Sequence, residues 1–296
     1  MLTGSRLFRF VLLLFPACLS LPMSGQGEIG LLAGISNYQG DLASYSTQDG
    51  FKALIGGVIG GHAGYELNNT FQLRCDLLYT RLSGDDDLAD KEVTRSRNLD
   101  FFAPVIQLAV GADWNILGFS TREQGAFSPY ASIGASIFYF HPKTKYMGEK
   151  IALHPLGTEG QYLEDYPDQK PYSEFQTTLQ LGGGLKLVAT EKLILAIEGM
   201  FSYTFTDYID DVSTIYISYP ELLDKAGPLT AALANRVGEY YGTPPLVVPS
   251  GTARANADSK DYFGMFTIRA TMPVEITTNK FKIRRHNNKT IGTPKF

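Results

Sequence analysis

The sequence predicts an all-β protein: an eight-stranded antiparallel transmembrane β-barrel with long extracellular loops and short periplasmic turns. Three observations point there. Segments of ten or more residues alternate apolar with polar or small side chains, the period of a strand with one apolar face. The connections between these segments alternate between long and short, as in outer-membrane barrels. The composition includes 17 Tyr, 18 Phe and 30 Gly; aromatic residues suit strands and glycine does not suit helices.

The chain opens with Arg6 and Arg9, the apolar run VLLLFPACLSLPM and the small residues SGQG. That is the pattern of a cleaved secretory signal, expected over 1–25. The run contains Pro16 and falls short of the roughly 20 apolar residues of a spanning helix. Cys18 in FPAC is read as part of the removed segment, because Phe15 and Pro16 fit a lipoprotein box badly. Cys75 is then the one cysteine of the exported chain, which leaves no disulfide framework and no thiolate cluster.

Eight strands are expected after the signal. EIGLLAGISNY supplies the first, over 28–40. The second, over 52–67, contains ALIGGVIGGHAGYEL. Ala53, Ile55, Ile59, Ala63, Tyr65 and Leu67 share one face, while Gly56, Gly60, His62, Gly64 and Glu66 share the other. A phosphate loop would need its glycines to open a helix, with a Lys and a Ser or Thr, and these are missing. The third, over 70–82, sets Phe71, Leu73, Cys75, Leu77 and Tyr79 against Gln72, Arg74 and Asp76. The fourth, over 98–114, places Phe102, Ile106, Leu108, Val110 and Trp114 together, and the fifth, over 129–141, does so with Ala131, Ile133, Ala135, Ile137 and Tyr139. Strands over 173–189, 192–206 and 261–274 complete the set. The barrel is expected over 26–276, followed by a basic periplasmic tail over 277–296.

An eight-stranded barrel encloses side chains, not a wide channel. The inward phase contains Glu66, Arg74, Asp76, Asp113, Glu174, Lys186, Glu198 and Arg269. Opposite charges across so narrow a lumen are expected to pair as a polar core.

Reactive constellations are thin. None of the four histidines, His62, His141, His154 and His286, has a partner at metal-ligand spacing. Ser136 with His141 is the one local pair that a hydrolase could use. The acidic clusters GDDDLAD (Asp85, Asp86, Asp87) and TDYIDDVS (Asp207, Asp210, Asp211) lack an EF-hand pattern and are read as solvated loop charge. PELLDKAGPLTAALANRVGEYY has helical composition, with Pro228 at a helix start, so the last long loop is expected to fold over the barrel. A net charge of −4 gives no basic imbalance that would indicate nucleic acid.

Four stretches, EIGLLAGISNYQGDL, YASIGASIFYFHPK, LHPLGTEGQ and TFTDYIDDVSTIY, resemble in order and spacing the PorG-like outer-membrane barrels. The resemblance runs from Glu28 to Val274. It implies a barrel in a Gram-negative outer membrane, in contact with membrane lipid. PorG is a component of the type IX secretion apparatus, so the resemblance also implies periplasmic secretion-ring proteins as partners. It brings no catalytic residues, no cofactor and no small-molecule substrate. Its motif residues, Asn37, Tyr38, Gly40, Asp41, Thr158, Glu159, Gly160, Asp207, Tyr208, Asp210 and Asp211, are candidates for loop architecture. The departure is the segment 277–296 after the last strand, where such barrels commonly end on an aromatic residue; here Phe296 closes the chain. The expected role is non-enzymatic, as a secretion accessory. The alternatives are a stand-alone surface barrel binding a ligand through loops 144–172 and 207–260, or a hydrolase built on Ser136 and His141.

Overall fold

The computed structural model describes residues 25–43, 48–123, 125–277 and 280–283. The expected signal segment up to residue 24, with Cys18, and the tail from residue 284, with His286, lie outside the described residues.

The alternating segments form β1 (Gly25–Gln39), β2 (Gly56–Glu66), β3 (Phe71–Asp85), β4 (Asp100–Asn115), β5 (Phe127–Phe140), β8 (Phe175–Thr190), β9 (Leu193–Thr204) and β10 (Tyr262–Thr277). Each is antiparallel to the next, in the order β1-β2-β3-β4-β5-β8-β9-β10. The last returns to the first, from Gln39 opposite Tyr262 to Gly25 opposite Ile276. The eight-stranded barrel is therefore closed, which satisfies the edge backbone groups that an open sheet would expose. Two short hairpin strands, β6 (Lys143–Tyr146) and β7 (Glu149–Ala152), extend from the β4 edge at Phe102, and β11 (Lys280–Ile283) turns back on the end of β10.

Connections 40–55, 86–99, 141–174 and 205–261 lie at one end, and 67–70, 116–126 and 191–192 at the other, where β1 also begins and β10 ends. Two details differ from expectation. The second strand starts at Gly56, because residues Gln48–Ala53 form a helix, α1, that precedes it. The connection after β4 is longer than the short turn expected. It folds beneath the barrel, with Phe119 packed on Val188 and Ile194. Its Thr121 N–H donates to Glu66 Oε1 at 2.9 Å.

The side-chain distribution is inverted relative to a water-soluble barrel. Leu31, Ile59, Val110, Ile133, Ile137, Leu179, Leu181, Phe266 and Ile268 are exposed on the outer face. Phe71 pairs in register with Trp114 near the short-turn end, and Tyr79, Ile106, Tyr139 and Phe175 form one row across four strands near the other. On β5 the belt runs from Phe127 to Tyr139. At a rise of about 3.3 Å per residue and a tilt of about 40°, it spans about 30 Å.

The lumen has two tiers. Near the short turns it is charged. Toward the long loops it becomes apolar, with Leu82, Phe101, Val105, Phe138, Phe140 and Phe263 packed in one cluster that continues into loop residues Leu42, Leu99, Ile209 and Val212. The long loops therefore close the barrel like a lid with its own core. Helices α2 (Glu92–Arg95), α3 (Tyr219–Lys225), α4 (Pro228–Ala234) and α5 (Val237–Tyr241) lie in these long loops, with Pro228 in the first turn of α4. Among the described residues no helix is long and apolar enough to cross a membrane.

Candidate functional site

The lower tier is built by strand parity. Inward positions on all eight barrel strands converge, and the spacing of glycines makes room for the long side chains. Gly64 is the clearest case: a Cβ there would overlap Gln72 Nε2 and crowd Glu28 Cγ. Its absence lets Gln72 donate to Glu28 Oε1 at 2.8 Å. The glycine-rich second strand thus has a packing role. It is a thin wall behind a crowded polar core.

Arg74 is the hub. Its Nη1 and Nη2 donate to Glu198 at 2.6 and 2.9 Å, and its Nε donates to Asp76 at 2.8 Å. Tyr130 donates to the same Glu198 at 2.7 Å, and Ser132 links Asp113 to Arg74. His62 sits between Asp76, 2.6 Å from Nδ1, and Glu28, 3.4 Å from Nε2. Lys186 donates to Gln72 at 2.6 Å and lies over the rings of Phe119 and Tyr130. Arg269 lies within 4.0 Å of Glu28, Asp113 and Glu198. Four carboxylates (Glu28, Asp76, Asp113, Glu198) thus face the basic side chains Arg74, Lys186 and Arg269, with His62 among them. Such a set tolerates burial because every charge has partners. The cavity beside it, between Arg74, Leu78, Met200 and Met265, measures about 10 Å³, room for about one water.

Of the eight inward charges named from sequence, Arg74, Asp76, Asp113, Lys186, Glu198 and Arg269 meet here. Glu66 is at the lower rim under Thr121. Glu174 is a correction. It precedes β8 at the loop end, where its carboxylate binds the His141 Nδ1 and accepts from Tyr139, because parity carries no direction beyond the end of a strand. Glu28 and His62 were missed as members. Their signal was their even-numbered register on β1 and β2.

The upper site is the lid. Tyr38, one residue before the end of β1, has its hydroxyl 2.7 Å from both Asp210 Oδ2 and Asp261 Oδ1. Asp210 also accepts from the Leu42 and Val212 N–H groups, and Asp261 from that of Ile209. Gly40 has no room for a Cβ beside the Tyr38 hydroxyl and Asp261. Arg254, buried, donates from Nη1 to Thr158 Oγ1, Glu159 Oε1 and the Asp211 carbonyl at 3.0–3.1 Å. Glu159 accepts from the Ser213 and Thr214 N–H groups, the Thr214 hydroxyl and Tyr208. Asp211, in the left-handed region at φ 66°, accepts from Thr158 and Tyr172. Asp207 accepts from Ser213. Gly160 turns the chain at φ 83°, and Asp41 contributes its carbonyl to Arg97. Asn37 accepts instead from Gln39, apart from that network among the described residues.

Most motif residues, from three separate stretches, therefore share one hydrogen-bonded network. The reading of the acidic clusters as solvated charge is corrected. Asp86 is buried and takes a two-pronged bond from Arg97 at 2.6 and 3.0 Å. Burial raises Asp86 and Asp211 to about 6 and Asp207 to about 7. Asp261 rises to about 8, burial being the first cause, and Asp210 is held well above its usual range by burial and then by the Asp261 charge. Among the described residues no cluster of three His, Cys, Asp or Glu side chains is arranged to hold a metal ion. Arg97, Arg254 and Asp261 were missed, as nothing in their local sequence marks an arginine that will be buried among loops.

The serine–histidine pair does not assemble. Ser136 faces the lumen, bonded to Gln107 and Thr178 at 2.6 Å. His141 is engaged with Glu174 outside it.

A family model described as a domain of unknown function (DUF6089) matches residues 5–222. No curated protein matches the sequence. Among solved structures, Ail, the attachment invasion locus protein of Yersinia pestis, aligns at a TM-score of 0.40 and 12% identity over 85% of this chain and 99% of its own. Neisserial surface protein A aligns at 0.39 and 12% over 84% and 97%. OprG from Pseudomonas aeruginosa aligns at 0.37 and 8% over 86% and 97%. Likenesses of this size carry no argument of their own; the barrel rests on its closed strand pairing.

Proposed function

The chain belongs to the family described as a domain of unknown function (DUF6089), and from that premise we propose that it is an integral outer-membrane barrel of a Gram-negative bacterium with a structural or interaction role. The observation that carries the reading is the inverted polarity of the closed barrel: leucine, isoleucine and aromatic side chains outside, paired charges inside. In water that outer face would be an apolar patch far beyond what a soluble monomer shows. In lipid it is the solvated face. Fractionation tests it. The mature protein is expected only in detergent extracts, migrating differently when unheated, and clean recovery in the soluble periplasmic fraction overturns it.

The finer reading is an accessory of a type IX secretion apparatus touching periplasmic ring proteins. It is supported by the PorG-like motif set, whose residues converge on the lid. A filled lumen suits a scaffold better than a conduit. Crosslinking in intact envelopes is expected to recover ring proteins; recovery of no periplasmic partner overturns it. A second reading, a surface barrel that binds an external ligand, is favoured by one feature. A cavity of about 430 Å³ opens between Tyr146, Met147, Arg236, Glu239 and Pro245, within the usual size range of ligand pockets.

A further inference from the structure

Just above the upper aromatic row, four cations gather on the outer wall. Arg81 is exposed near the end of β3, with its guanidinium 4.6 Å from the centre of the Phe102 ring on β4. Lys150 of β7 approaches the same ring at 5.8 Å. Lys143 of β6 is the register partner of Phe102, and Lys145 lies directly opposite Lys150 in the β6–β7 hairpin. The hairpin's other face is committed to the lid. There Thr144 is buried against Asp100, and Tyr146 lies beneath Arg236. Strand alternation therefore puts Lys143, Lys145 and Lys150 on the side of Phe102 and Arg81.

Two features need a cause. Like charges directly opposite in an antiparallel pair repel, yet Lys145 and Lys150 hold that register. Among the described residues none of the four cations makes an ion pair with a carboxylate. Asp100, at the base of the hairpin, is held by Arg236 at 2.6 Å, and Asp85, further up β3, caps the following turn through the Asp87 N–H. Directly below the patch come Tyr79, Ile106 and Tyr139 on the apolar belt. A cationic cluster at the height of the lipid headgroups, continuous with an apolar wall, is complementary to an amphiphile with a phosphate headgroup and acyl chains.

We propose that Arg81, Lys143, Lys145 and Lys150, around Phe102, form a binding site for a phosphate-bearing lipid of the outer leaflet. The phosphate bridges the hairpin lysines and Arg81, and the acyl chains lie along Tyr79, Ile106 and Tyr139. This rests on the membrane reading above and adds a ligand to it. Occupancy would relieve the Lys145–Lys150 repulsion and pin the hairpin, and with it the Arg236 side of the lid, to the membrane surface.

Native mass spectrometry tests this on the full mature chain, inserted first into phosphatidylcholine nanodiscs. It is then released into detergent with equal phosphatidylglycerol and phosphatidylcholine. The wild type is expected to retain the anionic lipid over the zwitterionic one by at least about tenfold. R81Q/K143Q/K145Q/K150Q is expected to lose that preference, and K91Q/R122Q/K170Q/K192Q, altered at cations elsewhere, to keep it. K145Q/K150Q, confined to the exposed hairpin, serves if the fourfold variant does not fold, and is expected to lose part of the preference. Equal preference in the patch variants and wild type overturns the site. So does full displacement of the lipid by inorganic phosphate, which would make the free anion the ligand. A barrel that inserts but shows no preference overturns the site while leaving the membrane reading standing. A chain that does not insert overturns both.

Discussion

A tyrosine hydroxyl has one proton to give and two lone pairs to accept with. Tyr38 contacts Asp210 and Asp261 at 2.7 Å each, so one carboxyl must carry a proton and donate back. The raised titration of both aspartates agrees with that count. Tyr38→Phe removes the bridge and leaves two buried carboxyls short of a partner, a loss of about 1–3 kcal/mol. It is expected to appear as faster proteolysis within 205–261 while the heat-dependent gel shift is unchanged. Unchanged cleavage would mean that the bridge does not hold the lid. Glu198→Leu acts lower down. It strands Arg74, which loses two bonds, and removes the acceptor of Tyr130. The expected cost is about 3–5 kcal/mol, read as a lower urea midpoint for unfolding of the lipid-inserted barrel. Ser136→Ala is expected to leave partner recovery intact, since Ser136 bonds only within the lumen; loss of function in an assembled barrel would revive the hydrolase. At this scale the sequence was legible where parity applies. Asp76 and Lys186 could be placed from their neighbours, but Glu174 could not, because it stands just before its strand.

The strands were readable because each exposes a continuous apolar face for ten or more residues, which a two-residue period reveals. The hairpin β6–β7 was not. Four-residue strands such as KTKY and EKIA carry too few alternations to stand out. The lid was half legible: Pro228 marks the start of α4, while its docking depends on Arg254 and Asp261, distant in sequence from the groups they hold. The lid also has a pH dependence that follows from its acids. Burial raises Asp211 to about 6, Asp207 to about 7 and Asp261 to about 8, against an unfolded value near 4. A carboxyl whose folded value is raised holds more protons in the folded state between those limits. Its stabilisation is therefore complete below about pH 4 and is lost as pH rises through about 6–8. The groups facing this cluster are Tyr38 on β1, Asp41 and Glu159 from other loops, and the cations Arg254 and Lys260, whose attraction opposes the rise only in part. Hydrogen exchange, corrected for its intrinsic pH dependence, is expected to show stronger protection of 205–261 at about pH 5.5 than at about pH 8.5. The reverse order would show that the arginine, not burial, dominates.

For the whole molecule, closure at three levels argues against a conduit: the lid above, the paired charges in the lumen, and Phe119 with its neighbours beneath. The remaining asymmetry is at the lower end, where both described chain ends emerge. β10 pairs with β9 only as far as Thr271 but continues to Thr277, and β11 fills the place beside that extension. The barrel strand is thus complete before β11 begins, and a cut after Thr278 removes no barrel pairing. Beyond Glu275 the sequence holds Lys280, Lys282, Arg284, Arg285, Lys289 and Lys295 and no acidic residue. On the proposed outer-membrane reading this cationic segment would lie on the periplasmic side and attract an acidic surface there, with a reach of about 8–10 Å at ordinary ionic strength. Truncation after Thr278 is therefore expected to leave insertion and the gel shift intact while lowering recovery of the periplasmic partner severalfold. Added salt should weaken recovery by the full-length chain more than by the truncated one, because only the former has the charge to screen. Equal recovery by both, at matched expression, would assign the tail no part in binding. A truncated chain that failed to insert would instead show that β11 is needed to complete β10, contrary to the pairing observed.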